Sequence, residues 1–150
     1  MQERNKDIPQ ANTGVIFLFY KEGMILVEDR PESDLGYSNI TIVPGGKIRF
    51  REGEKPEEAL LREVKEELGE SVIILKKYDL GEFCDFTGRG NLQRQKAFFV
   101  TEYEGDIKNC EPEKGIHRWI PINDYNKELP LSSSKLVVER ALRVLFRQNG

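Results

Sequence analysis

The apolar residues of this chain fall in short, dense runs separated by glycine, proline and charged clusters. Thr13 to Tyr20 is almost continuous in apolar side chains, which predicts a strand buried on both faces. Lys21-Glu22-Gly23 reads as a turn, and Met24 to Glu28 as the return strand of a hairpin. Arg30 follows at its end, before a loop of turn formers that contains Tyr37. Ile40 to Val43 predicts a short strand leading into Pro44-Gly45-Gly46, and Lys47 to Phe50 extends as a strand or a bulged loop. Val72 to Leu75 and Tyr78 to Phe83 read as strand material broken by Lys76-Lys77. Thr87 to Asn91 is a loop, and Leu92 to Tyr103 a strand strongest at Ala97 to Val100. After an irregular stretch with Glu111 and Glu113, Ile116 to Ile120 is the last short strand. Pro121 to Pro130 is a turn-rich connector.

Two segments carry helical periodicity instead. One starts near Pro56, which suits a first helical turn because its missing N–H has no partner there anyway. Lys55 before it is a poor cap, although Glu57 and Glu58 favour the positive helix end. Leu60, Leu61, Val64 and Leu68 form its apolar stripe, and Gly69 suits a left-handed stop. The other runs from Lys135 to about Gln148, with Ser132 or Ser134 as its cap and Val137, Val138, Ala141, Leu142, Val144 and Leu145 as a broad apolar face. Strands outnumber helices, and the two helices bracket most of the strands. The pattern predicts an α/β fold in which a mixed sheet lies between helices.

Composition narrows the picture. A chain of 150 residues is expected to form one domain over residues 1–150, with residues 1–10 a frayed polar lead-in. The net charge of −3 gives no electrostatic case for long nucleic acid. No run approaches membrane-spanning length and no apolar signal core is visible, so the expected location is the cytoplasm. Cys84 and Cys110 are expected to be free thiols, and with a single histidine, His117, a zinc site is improbable.

The chemistry sits between Pro44 and Gly69. At 100° per residue, Glu66 and Glu67 fall roughly 60° behind and 40° ahead of Glu63, so three carboxylates share one helix edge. Like charges at this spacing cost a few tenths of a kcal/mol per pair, and acidic residues late in a helix oppose its dipole. A hard dication such as Mg²⁺ reverses both effects; a solvated acidic face is the plain alternative. Seven residues separate Glu54 from Arg62-Glu63-Val64-Lys65-Glu66-Glu67-Leu68-Gly69.

That string resembles the Nudix box, G-x5-E-x7-R-E-U-x-E-E-x-G-U with U a bulky aliphatic. Glu54 to Gly69 agrees at each specified position. Two departures stand out: seven residues instead of five separate Gly46 from Glu54, and Glu70 replaces the last aliphatic. The extra pair lies in a loop, where length is cheap.

The resemblance implies an α/β/α sandwich and Mg²⁺-dependent hydrolysis of a diphosphate bond, with Mn²⁺ able to substitute. The substrate it implies is a nucleoside diphosphate linked to another group. It implies that Glu63, Glu66, Glu67 and the Gly45 carbonyl hold the metal, and that Arg62 orients box carboxylates such as Glu54. The general base is Glu63 or Glu66 within the box, or a loop glutamate, Glu113 or its rival Glu111. Arg30 resembles a phosphate-contacting arginine of MutT-like members, and Lys47 is a second phosphate candidate. Among Tyr37, Phe83, Phe86, Phe99 and Trp119, Tyr37 is the first choice for stacking on a base, while Phe99 and Trp119 are expected in the core; His117 is expected on the surface of its strand. The arginine and Glu113 placements lean the reading toward nucleoside triphosphates. ADP-ribose or another nucleotide sugar is the rival substrate, short capped RNA ends are a further one, and a non-catalytic nucleotide sensor is the rival of another class. A homodimer through Leu35-Gly36-Tyr37 or the last helix is open.

Overall fold

The computed structural model describes residues 12–32, 38–86 and 92–149. Strand β1 (Gly14–Lys21) is the centre of the sheet, and β2 (Met24–Glu32) returns beside it. Then follow β3 (Ser38–Ile42), the short β4 (Gly45–Lys47) and helix α1 (Pro56–Leu68). Two long strands, β5 (Ile73–Phe86) and β6 (Leu92–Glu104), precede β7 (Ile116–Pro121). A four-residue helix, α2 (Tyr125–Glu128), and the closing helix α3 (Ser132–Asn149) complete the chain.

The sheet has seven strands in the order β3-β2-β1-β6-β5, with β4 on β1 and β7 on β2. Among the described residues, only β1 and β6 pair in parallel; the other pairs are antiparallel, so the sheet is mixed.

The apolar run of β1 explains its position. Side chains alternate across a strand, and both faces are covered. Val15, Phe17 and Phe19 pack with Ala59, Leu60, Val64 and Leu68 of α1. Ile16 and Leu18 pack with Val137, Val138 and Ala141 of α3. This is the expected α/β/α sandwich, with one core per face.

Several boundaries differ from the sequence reading. Lys76-Lys77 does not break β5; the strand runs through with register shifts at Ile74/Lys76, Lys76/Lys77 and Asp79/Gly81. Fourteen-residue β5 lies along β6, and local irregularities absorb the polar residues. Strand β2 continues past Glu28, because β3 pairs with it from Glu28 to Glu32, while β7 pairs with its first part, Met24 to Asp29. The connector after β7 contains α2, and α3 begins at Ser132, which places Ser134 inside its first turn. Leu61 is 52% exposed and lies off the stripe formed by Leu60, Val64 and Leu68. No described helix is long and apolar enough to cross a membrane.

Candidate active site

Helix α1 turns its acidic edge partly into the protein. Glu63 and Glu67 are buried with Ala59, Leu60, Val64 and Leu68, whereas Glu66 remains exposed. Pro56 opens the helix, and Glu58 accepts a hydrogen bond from the Lys55 N–H at 2.9 Å, which makes up for the weak cap residue. Gly69 ends it with φ 128°, a value that favours glycine. Glu70 is exposed beyond the helix end, so the missing aliphatic leaves no gap in the core.

The glycine pair is placed by β4. Gly45 and Gly46 pair with Ile16 and Val15 of β1. A Cβ at Gly46 would overlap the Glu63 carboxyl, so glycine there is what lets the helix edge approach the sheet. The two extra loop residues do not disturb this contact. A 3-10 turn at Phe50–Glu52 takes them up, and Gly53 closes it with φ 83°. Beyond it, Glu54 accepts from the Arg49 N–H at 2.9 Å and still faces the helix.

Arg62 ties these pieces together. Its Nε and Nη2 donate to the two oxygens of Glu54, each at 2.8 Å. Nη1 donates to Glu63 at 2.8 Å and to Glu66 at 3.3 Å, and Nη2 also reaches the Lys47 carbonyl at 2.9 Å. The guanidinium therefore bridges three box carboxylates and the Lys47 carbonyl. Its hydrogen bonds hold the Glu54 carboxyl down at about 2. The same partners push the Arg62 pKa up.

Glu63 and Glu67 show the opposite electrostatics. Burial raises the pKa of Glu63, Arg62 opposes it, and Glu66 and Glu111 add to it. Burial also pushes Glu67 up to about 9, reinforced by Glu28 and Glu63 and only partly offset by Arg30. Glu67 Oε2 is buried with no hydrogen-bond partner. A buried carboxylate oxygen without a donor costs on the order of several kcal/mol. An oxygen-seeking dication fits it, and Glu63, Glu66 and Glu67 are the residues that would hold one.

The remaining candidates scatter. Arg30 is buried, and its Nε meets Glu28 at 2.6 Å and the Lys114 carbonyl at 3.2 Å. Lys47 is exposed beside the glycines. Glu111 lines a small pocket with Glu28, Glu67, Lys114, Gly115 and His117, while Glu113 is exposed and outside that lining. Tyr37 and the side chain of Phe86 lie outside the described residues. Phe83 is buried under the Arg140 guanidinium, which stacks on its ring at 3.9 Å. Phe99 and Trp119 pack in the two cores. His117 is not a surface residue: its side chain is 6% exposed and faces Glu28. Glu28 went unnoticed in the sequence because it reads there as the polar end of a strand. Only the pairing of β2 with β7 sets it opposite His117.

The family model described as NUDIX domain matches residues 9–140. The chain belongs to the Nudix family. This is a family of hydrolases that act on phosphoanhydride bonds, and the chain is one of its enzymes. Solved structures with the same fold include a MutT NUDIX hydrolase from Burkholderia pseudomallei, with a TM-score of 0.71 at 20% identity over 88% of this chain and 98% of that one. The MutT protein from Methanosarcina mazei Go1 superposes with a TM-score of 0.68 at 24% identity, over 87% and 91%. The NUDIX domain of Shewanella oneidensis NrtR, solved with ADP ribose, gives 0.69 at 16% identity over 97% and 99%. No curated protein sequence matches the chain.

Proposed function

We propose that this Nudix enzyme hydrolyses, with Mg²⁺, a phosphoanhydride bond in a nucleoside diphosphate linked to another group, with nucleoside triphosphates as the leading substrates. The observation that carries the metal-dependent part is the buried Glu67 oxygen without a partner, one helical turn from buried Glu63, whose carboxyl lies against Gly46. Glu63, Glu66, Glu67 and the Gly45 carbonyl hold Mg²⁺, and Mn²⁺ substitutes. When bound, the ion neutralises charge on the phosphoryl oxygens and makes water more acidic.

The chain's own residues do the rest. Arg62 fixes the Glu63 carboxylate and is a positioning residue. A carboxylate of the cluster takes the proton of the attacking water; Glu63 and Glu66 are the candidates on the helix. On the loop, Glu111 lines the pocket beside Glu67, which favours it over Glu113. Arg30 and Lys47 contact the substrate phosphates. An open groove of about 260 Å³ beside Arg30, lined also by Asp29, Pro31, Asn39, Ile40 and Thr41, takes the nucleoside.

The printed descriptions of the MutT neighbours favour triphosphates, and the ADP-ribose complex of the NrtR domain favours the nucleotide-sugar alternative. Pyrophosphate release should be measured from a panel of triphosphates, and nucleoside monophosphate release from ADP-ribose and nucleotide sugars. Pyrophosphate from triphosphates is the expected result. Turnover of ADP-ribose alone would move the assignment to the rival, and inertness across the panel with Mg²⁺ would favour a sensor.

A further inference from the structure

The single histidine of the chain is held as a metal-binding histidine is held. Its backbone N–H lies 2.8 Å from Asn109 Oδ1, and its Nδ1 lies 2.9 Å from the same atom. A backbone N–H can only donate, so the amide atom it meets is the oxygen. Nδ1 therefore carries a proton and donates to that oxygen too. In the neutral ring this leaves a lone pair on Nε2. Locking of the far nitrogen by an outer carbonyl is the usual arrangement around ligating imidazoles.

Nε2 points into an acidic pocket. It lies 3.0 Å from Glu28 Oε1, yet it has no hydrogen-bond partner of acceptable alignment. Glu67 Oε2, from helix α1, is the second buried atom there without one. Ligand atoms of Glu28, Glu67 and His117 all lie within 4.8 Å of one another. Metal–ligand bonds of about 2.0–2.2 Å would set neighbouring ligand atoms roughly 3–3.5 Å apart, so the side chains would draw in by about an ångström around an ion. The pocket between them has a volume of about 10 Å³, close to the room one small ion or water needs. Gly115 belongs to the design, because a Cβ there would meet the Glu28 carboxyl. Charge also fits: Arg30 pairs with Glu28 and Lys114 with Glu111, which leaves Glu67 beside the imidazole with no ion pair among the described residues.

We propose that Glu28, Glu67 and His117 form a divalent metal site with a nitrogen donor, joined to the all-oxygen glutamate site through Glu67. The imidazole selects a first-row transition ion such as Mn²⁺, Co²⁺ or Zn²⁺ over Mg²⁺, which prefers oxygen and keeps its waters. The inference rests on Glu67 being a metal ligand, as the proposed function also holds.

Electron spin echo spectroscopy of bound Mn²⁺ tests it without an activity readout. The full chain is purified without a polyhistidine tag, once unlabelled and once with ¹⁵N-histidine. His117 is the only histidine, so any label-sensitive nitrogen coupling comes from it. The expected spectrum shows that coupling. His117→Gln should remove it and weaken Mn²⁺ binding about ten- to a hundredfold, with Mg²⁺ binding unchanged. Bound Mn²⁺ without a label-sensitive coupling overturns the nitrogen site and leaves the glutamate site standing. No Mn²⁺ binding overturns both. Because the labelled wild-type spectrum decides the matter alone, poor folding of the variant does not.

Discussion

At the scale of single residues, Glu67 carries the account. Its carboxyl is buried, lacks a partner on one oxygen and is surrounded by other acids. An isosteric amide keeps the shape but cannot ionise to hold a cation. Glu67→Gln should lower turnover by at least about a hundredfold, while its metal-free melting temperature stays at or above that of the wild type. Calorimetry with and without Mg²⁺ checks this; a less stable metal-free variant would mean that the carboxylate has partners the account denies it. Gly46 is the other critical residue. Gly46→Ala puts a methyl group where the Glu63 carboxyl sits, an overpacking change that costs about 1–3 kcal/mol. Denaturant melts should show that loss together with weaker Mg²⁺ binding.

The elements show why some of the site was legible and some was not. Helix α1 reads directly from the sequence, because spacing places Glu63, Glu66 and Glu67 on one edge whatever surrounds them. Burial of two of them could not be read, since it depends on β4 bringing Gly46 against the helix. Leu61 was misplaced for the same reason: the buried arc takes in Glu63 and Glu67 and leaves Leu61 out. The β7 loop was harder still. Read from the sequence, Glu113 is preferred and Glu111 is its rival, and only the fold sets Glu111 against the Glu28–His117 strand pair. Glu111→Gln should lower kcat and alter the shape of the kcat–pH profile, while Glu113→Gln stays close to wild type. The reverse order would return the loop role to Glu113.

Across the whole molecule, the sandwich was the most legible feature. A doubly apolar β1 must be covered twice, and α1 and α3 are the two long amphipathic segments that can cover it. Strand order and the β2–β7 pairing were not legible, because they arise from contacts distant in the chain. The buried acids also give the folded protein a pH signature. A carboxyl with a raised folded-state pKa supports the fold below its unfolded value, near 4.5, and withdraws that support as pH climbs toward about 9. Glu54 has the opposite sign, with support present above 4.5 and lost as pH falls through about 2. Between pH 5 and 9 the Glu67 effect therefore dominates. The metal-free melting temperature should fall across that interval, and the stabilisation by Mg²⁺ should grow, because the ion replaces a proton. A pH-independent Mg²⁺ effect would contradict this linkage.

The most direct measurement is anomalous diffraction from a crystal soaked with Mn²⁺ and a non-hydrolysable nucleoside triphosphate. The account predicts ion density between Glu63, Glu67 and the glycine pair, touching the phosphates. Phosphates bound without an ion there, with both carboxylates turned into solvent, would contradict it.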